Sequence, residues 1–209
     1  MRGYYFITDA ALSRAGNERD VENAVKAGVA AVQYRSKGGS ARQMVEEAGR
    51  LRALCKDALF LVNDSIDEAL ADEADGVHIG QDDMPLPLAR RLLGRTKTIG
   101  VTVHSVEEAR AAQEEGTDYV AISPVFSTTT KSDAGKAVGL ALVSKVKSLV
   151  TVPVIAIGGI TLENVAEVIA AGADAVCAIS CVVTARSVAA EVGKFNRAFQ
   201  RCAEPEIRP

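Results

Sequence analysis

Eight short apolar runs, each followed by a stretch with helical spacing, predict a closed parallel (β/α)8 barrel folded as one domain. Composition agrees. Hydrophobic residues make up 48% of the 209, yet Trp is absent and aromatics are only 4%, so Ala, Val, Leu and Ile must build the core. Strands of that make-up suit a parallel sheet buried on both faces. The third observation is an asymmetry: residues suited to binding a ligand collect where the runs end, and ordinary turn residues where they begin.

The units follow in order. Tyr4–Ile7 reads as the first strand and Glu18–Ala27 as its helix. Ala30–Tyr34 then leads to Ala41–Lys56, Leu59–Val62 to Ile66–Ala71, and Gly76–Ile79 to Leu86–Leu93. The second half pairs Thr98–Val103 with Val106–Glu115, Tyr119–Ile122 with Ala141–Leu149, Val154–Ile157 with Leu162–Ala171, and Ala175–Ile179 with Val188–Arg201. Ser105 with Glu108 three residues on forms a capping box, and Thr161 with Asn164 a weaker helix start. Gly28, Gly116 and Gly172 mark helix ends just before the next strand. An open doubly wound sheet competes, because Gly158-Gly159 could imitate a dinucleotide loop, but IGGI lacks the G-x-G-x-x-G spacing. The domain is expected over residues 1–201, with 202–209 a flexible tail.

Charge and leader signals narrow the class. A net charge of −3 opposes nucleic-acid binding. No apolar run approaches the ~20 residues that span a bilayer. The start, MRGYYFITDAALSR, has no apolar h-region and already contains Asp9, so a cytoplasmic protein is expected. Cys55, Cys177, Cys181 and Cys202 are scattered apart from one C-x3-C pair, which reads as reduced thiols rather than as a zinc site or a disulfide.

The segment LVNDSIDEALADEADGVHIGQDD, residues 61–83, places acids after two successive strands: Asn63-Asp64, then Gln81-Asp82-Asp83. If those strands are parallel neighbours, the acids meet, as a metal bound to a phosphorylated ligand requires. Gln33, Arg35 and Lys37 alternate along an extended segment and project to one side, an amide, a planar fork and a compact charge suited to a di- or triphosphate. The longest break in the alternation, SPVFSTTTKSDAGKAVGL, offers hydroxyls and Lys131 and reads as a loop that closes over an anion. Gly158-Gly159 and Ile179-Ser180 leave strands seven and eight, the usual barrel site for a single phosphate. His78, between Val77 and Ile79, reads as a satisfied core histidine; His104 follows strand five without partners for a metal triad. No Ser-His-Asp or Cys-His set assembles.

The strings VQYRSK, LVNDSIDEALADEADGVHIGQDD, IGVTVHSVEEA, DYVAISPVFSTTTK and VPVIAIGGITLENV resemble, in order, the successive motifs of the thiamine phosphate synthase family. The resemblance implies a (β/α)8 barrel that joins hydroxymethylpyrimidine diphosphate to a thiazole phosphate and releases pyrophosphate. It implies that Gln33, Arg35 and Lys37 hold the pyrimidine diphosphate, with Asn63 beside the ring, and that Asp64 and Asp83 bind Mg²⁺. It places Thr102 against the pyrimidine, where serine is usual. Thr128, Thr130 and Lys131 would bridge the two substrates, Lys131 on the pyrophosphate, while Gly159, Ile179 and Ser180 would cradle the thiazole phosphate. Lys131, Arg35 and Lys37 are thereby the expected catalytic cations. Ser127 replaces a common proline, and Ala175 a glycine. The partners implied are small molecules, with a homo-oligomer possible and neither nucleic acid nor membrane involved. Two alternatives stand beside this reading. A thiazole tautomerase of the same fold departs from the metal motifs and carries a histidine where this chain has AISPVF; a catalytically silent phosphate-binding regulator would have little use for both acids and cations.

Overall fold

The computed structural model describes residues 1–130 and 135–203. Eight parallel strands close into a barrel in sequence order: β1 (Gly3–Ile7), β2 (Ala31–Tyr34), β3 (Leu59–Asn63), β4 (Gly76–Ile79), β5 (Thr98–Val103), β6 (Tyr119–Ile122), β7 (Val154–Ile157) and β8 (Ala175–Cys177). The helices between them are α1 (Asn17–Lys26), α2 (Ala41–Leu54), α3 (Ile66–Ala71), α4 (Leu86–Leu93), α5 (Val106–Glu114), α6 (Gly139–Lys147) and α7 (Val165–Ala170); α8 (Ile179–Val183) and α9 (Val188–Ala203) complete the chain. The expected barrel is therefore the observed one, and an open sheet is excluded by the pairing of β8 with β1.

Three local differences have clear causes. Strand β8 ends at Cys177 rather than Ile179, because Ile179 starts the short extra helix α8. Helix α7 starts at Val165 rather than Leu162: Asn164 Oδ1 accepts from Thr161 N (2.9 Å), as the expected helix start requires, but its Nδ2 also donates to Gly159 O (3.0 Å) and ties this turn to the cavity loop. Helix α9 runs on to Ala203, two residues beyond the expected domain limit, and the remainder of the expected tail lies outside the described residues. Gly28, Gly116 and Gly172 all adopt positive φ where the following strand begins, as their helix-ending role requires.

The alternation of side chains divides the core in two. Outward residues such as Tyr4, Phe6, Val32, Phe60, Val77 and Ile99 pack beneath the helices. Inward residues, Tyr5, Ile7, Ala31, Leu61, Tyr119, Ala121, Ile155, Ile157, Ala175 and Cys177, fill the barrel. Gln33 and His78 are also buried, on the inward positions of β2 and β4. At the opposite end from the loops that carry function, three aspartates latch adjacent strands. Asp75, Asp118 and Asp174 accept from the backbone N–H of Phe60 (2.8 Å), Ile99 (2.7 Å) and Val154 (2.8 Å). Each also pairs with a helical cation, Arg52, Arg90 or Lys147 respectively. Asn196 of α9 serves β1 in the same way, accepting from Tyr4 N and donating to the carbonyls of Ala27 and Gly28.

Candidate active site

The cavity at the carboxyl ends of the strands gathers residues from nearly every strand exit. Gln33, Arg35, Asn63, Thr102, Thr128, Thr130, Gly159, Ile179 and Ser180, nine of the expected site residues, all line it. Lys37, Asp64 and Asp83 stand outside that lining, and Asp83 borders a neighbouring groove between the β4 exit and α5. Lys131 lies outside the described residues.

On the basic side, two residues at the exit of β1 organise the cations. Thr8 Oγ1 accepts from Arg35 N (2.9 Å), and the buried Asp9 pairs with Lys37 Nζ at 3.3 Å while accepting from the N–H groups of Ala11 and Leu12. The sequence showed both at a strand exit but could not reveal that Asp9 is buried beneath Lys37. A buried carboxylate held by two amides fixes where that flexible lysine rests.

On the acidic side, β3 and β4 are parallel neighbours in register Asn63↔His78, so their exits adjoin as the acidic pattern requires. Asp64 follows β3 with φ 63°, a left-handed conformation that Asp tolerates, and its N–H donates to His78 O at 2.8 Å. Its Oδ2 accepts from Asn63 Nδ2. Asp83 Oδ2 accepts from Gly80 N at 2.7 Å, which orients that carboxylate on its own loop. Two oriented carboxylates suit Mg²⁺, which is usually held by one or two acids with phosphate oxygens and water completing its shell. Among the described residues no group of three or more His, Cys, Asp or Glu could hold a metal by itself.

Glycines make the third side possible. At Gly158 (φ 96°) a Cβ would lie 2.6 Å from Pro124 Cβ, and at Gly159 (φ 64°) 2.7 Å from Phe126 Cβ. Only glycine lets this turn pack beneath the Pro124–Ser127 segment while bringing backbone to the cavity. Beside it, the start of α8 presents Ile179 and Ser180.

His78 is buried as expected, with Nδ1 2.9 Å from Tyr119 Oη and Nε2 2.8 Å from Thr102 Oγ1. His104 lines the cavity and faces Glu108 at 3.2 Å. The expected capping box is half made: Ser105 Oγ accepts from Glu108 N, but the glutamate side chain returns to His104 N (2.7 Å) rather than to Ser105 N. What sequence reading missed here is Tyr5 and Tyr119, whose hydroxyls meet at 2.8 Å inside the barrel.

Comparison with known proteins agrees with this geometry. A family model described as thiamine monophosphate synthase matches residues 4–182. A thiamine-phosphate synthase of Methanosarcina barkeri is 50% identical over 199 residues, covering 95% of this chain and 90% of the relative. One from Chloroflexus aurantiacus is 49% identical over 189 residues, covering 89% and 87%. The solved thiamine phosphate pyrophosphorylase of Pyrococcus furiosus superposes with a TM-score of 0.89 at 36% identity, covering 97% of each chain. A geranylgeranylglyceryl phosphate synthase from Thermoplasma acidophilum, at 17% identity and a TM-score of 0.71, shares the barrel alone.

Proposed function

The chain belongs to the thiamine monophosphate synthase family and is a transferase with thiamine-phosphate synthase activity, and we propose that it joins the hydroxymethylpyrimidine group of its diphosphate to the nitrogen of a thiazole phosphate in the cavity just described. The observation that carries this reading is the convergence of Gln33, Arg35, Asn63, Thr102, Thr128, Thr130, Gly159, Ile179 and Ser180 on one cavity. Relatives named as synthases do not support the tautomerase or the silent regulator.

Arg35 and Lys37, held by Thr8 and Asp9, bind the diphosphate, and Lys131 joins them on the leaving group. Asp64 and Asp83 would hold Mg²⁺, which when bound offsets the charge of the departing pyrophosphate. Gln33, Asn63 and Thr102 hold the pyrimidine ring, while Gly159, Ile179 and Ser180 cradle the thiazole phosphate, with Thr128 and Thr130 between the substrates. The carbon–oxygen bond to pyrophosphate breaks first, and the ring with its amino group delocalises the resulting cation. The thiazole nitrogen then supplies its lone pair to form the new carbon–nitrogen bond. That nitrogen carries no proton to remove, so the site needs orientation and charge stabilisation rather than a general base. The half-exposed His104 and the enclosed His78 fit that requirement.

Among the described residues no helix is long and apolar enough to cross a membrane, which is consistent with a cytoplasmic reaction. Purified protein with both substrates and Mg²⁺ should form thiamine phosphate and pyrophosphate in equal amounts. Absence of both products with folded protein would refute the reading.

A further inference from the structure

We propose that a hydrogen-bonded relay through the barrel interior, Gln33–Tyr5–Tyr119–His78–Thr102, makes Tyr5, Tyr119 and His78 positioning residues. They set opposite hydrogen-bonding character at the two sides of the cavity, and so select a heteroaromatic ring with an amino group beside a ring nitrogen. The inference rests on reading this cavity as the pyrimidine site.

The chain of contacts is continuous. Gln33 Nε2 donates to Tyr5 Oη (2.9 Å), Tyr5 Oη meets Tyr119 Oη (2.8 Å), Tyr119 Oη meets His78 Nδ1 (2.9 Å), and His78 Nε2 meets Thr102 Oγ1 (2.8 Å). Tyr5 and Tyr119 are sealed inside the barrel, and the buried His78, whose ring stacks on Tyr119 with centroids 5.6 Å apart, only touches the cavity wall. The two ends, Gln33 and Thr102, both line the cavity. A tyrosine pair bonded to a histidine inside a barrel otherwise packed with Ile, Leu and Ala needs each donor matched to an acceptor, because an unmatched one costs its full desolvation.

Matching leaves little choice. Burial pushes the pKa of both phenols up, far from neutral pH, so each keeps its hydrogen. A neutral imidazole also has one N–H. With Gln33 donating to Tyr5, the Tyr5 hydrogen goes to Tyr119, the Tyr119 hydrogen to His78 Nδ1, and the His78 hydrogen sits on Nε2 and goes to Thr102. The Thr102 hydroxyl hydrogen is then released to the cavity, and the Gln33 carbonyl oxygen is left as an acceptor on the other side. Turning the Gln33 amide over reverses all four bonds together, so the two ends remain opposite in character in either state. A ring offering one donor and one acceptor satisfies both ends; a ring offering two acceptors satisfies one and leaves the other unpaired.

The test compares equilibrium binding of two pyrimidine methyl monophosphates, one with the ring amino group and one with a methoxy group in its place, which offers two acceptors and no donor. Neither has a pyrophosphate to lose, so binding is read without chemistry. Wild-type protein should prefer the amino ring. Tyr119→Phe and Tyr5→Phe, which keep ring volume and delete one link, should weaken the amino ring about tenfold and reduce the amino-to-methoxy preference at least about fivefold. In turnover with the natural pair, KM for the pyrimidine diphosphate should rise while that for thiazole phosphate stays within about twofold. An unchanged amino-to-methoxy preference in folded Tyr119→Phe and Tyr5→Phe overturns the relay. If Tyr119→Phe does not fold, Tyr5→Phe decides alone, since it cuts the same chain one bond earlier. Wild-type protein that binds neither ring would overturn the pyrimidine assignment, and the relay's role with it, which is a separate result from an unchanged preference.

Discussion

Asp64 leaves β3 in a left-handed backbone conformation with its carboxylate turned toward Asn63. Asn adopts that conformation as readily as Asp, so Asp64→Asn isolates the charge from the fold. Turnover at saturating substrates should fall on the order of 10²-fold and require more Mg²⁺, with the thermal midpoint close to wild type. Equal turnover at limiting Mg²⁺ would remove Asp64 from the metal site. Most of the residues around the cavity were legible as types in a pattern, because strand exits are where a barrel keeps its chemistry. The burial of Asp9 beneath Lys37 and the two tyrosines were not. A carboxylate at a strand exit does not disclose that it is buried, and Tyr5 and Tyr119 look like ordinary core aromatics until the closure of β1 through β8 turns their hydroxyls toward each other.

Glycine decides how the elements fit. Gly100 sits on the inward face of β5, and a Cβ there would collide with the ring of Tyr119. Gly100→Ala must therefore displace that ring from a filled barrel. Overpacking of this kind costs about 1–3 kcal/mol, equivalent to a midpoint roughly 2–12 °C lower for a chain of this size. An unchanged midpoint would mean that the ring is not seated over Gly100. Strand and helix alternation was readable throughout, since apolar runs and helical spacing differ in period. The helix α8 escaped because its residues, Ile179–Val183, continue the apolar run of β8 with only Ser180 interrupting it. Helix α7 was read too long because Thr161 with Asn164 marks a helix start; Asn164 does bond Thr161 N, but it also clasps Gly159 O, and the regular helix begins only at Val165.

For the molecule as a whole, the helix layer contains titrating groups set against folding, Glu68 foremost. Burial first, then the neighbouring carboxylates Asp72, Asp67 and Glu47, push Glu68 on α3 up from an ordinary 4.5 to about 7, and its Oε1 is buried without a hydrogen-bond partner. Burial also raises Asp20 and Asp72. The folded chain binds the Glu68 proton more tightly than the unfolded chain does. Stability from this group is therefore complete below about pH 4.5, declines as the pH rises to about 7, and is level beyond. Glu68→Gln should match wild type near pH 4 and exceed it by about 1–3 kcal/mol at pH 8 in urea unfolding. A constant difference between the two pH values would exclude the mechanism. The closed barrel was legible from the count of units, whereas the strand-entrance latches, which need Arg52, Arg90 and Lys147 brought to distant aspartates, were not.

The polar chain inside the barrel also limits how such a protein can change. Its middle members stand where Leu or Ile would normally fill the interior, and replacing all three with well-shaped aliphatics is a standard route to a more heat-resistant core. Here that route erases the recognition surface above it, because the same atoms serve as packing and as selectivity. Variants hardened at this depth should drift toward indiscriminate ring binding, so durable forms of this protein would have to gain their robustness in the helix layer or at the latched end instead.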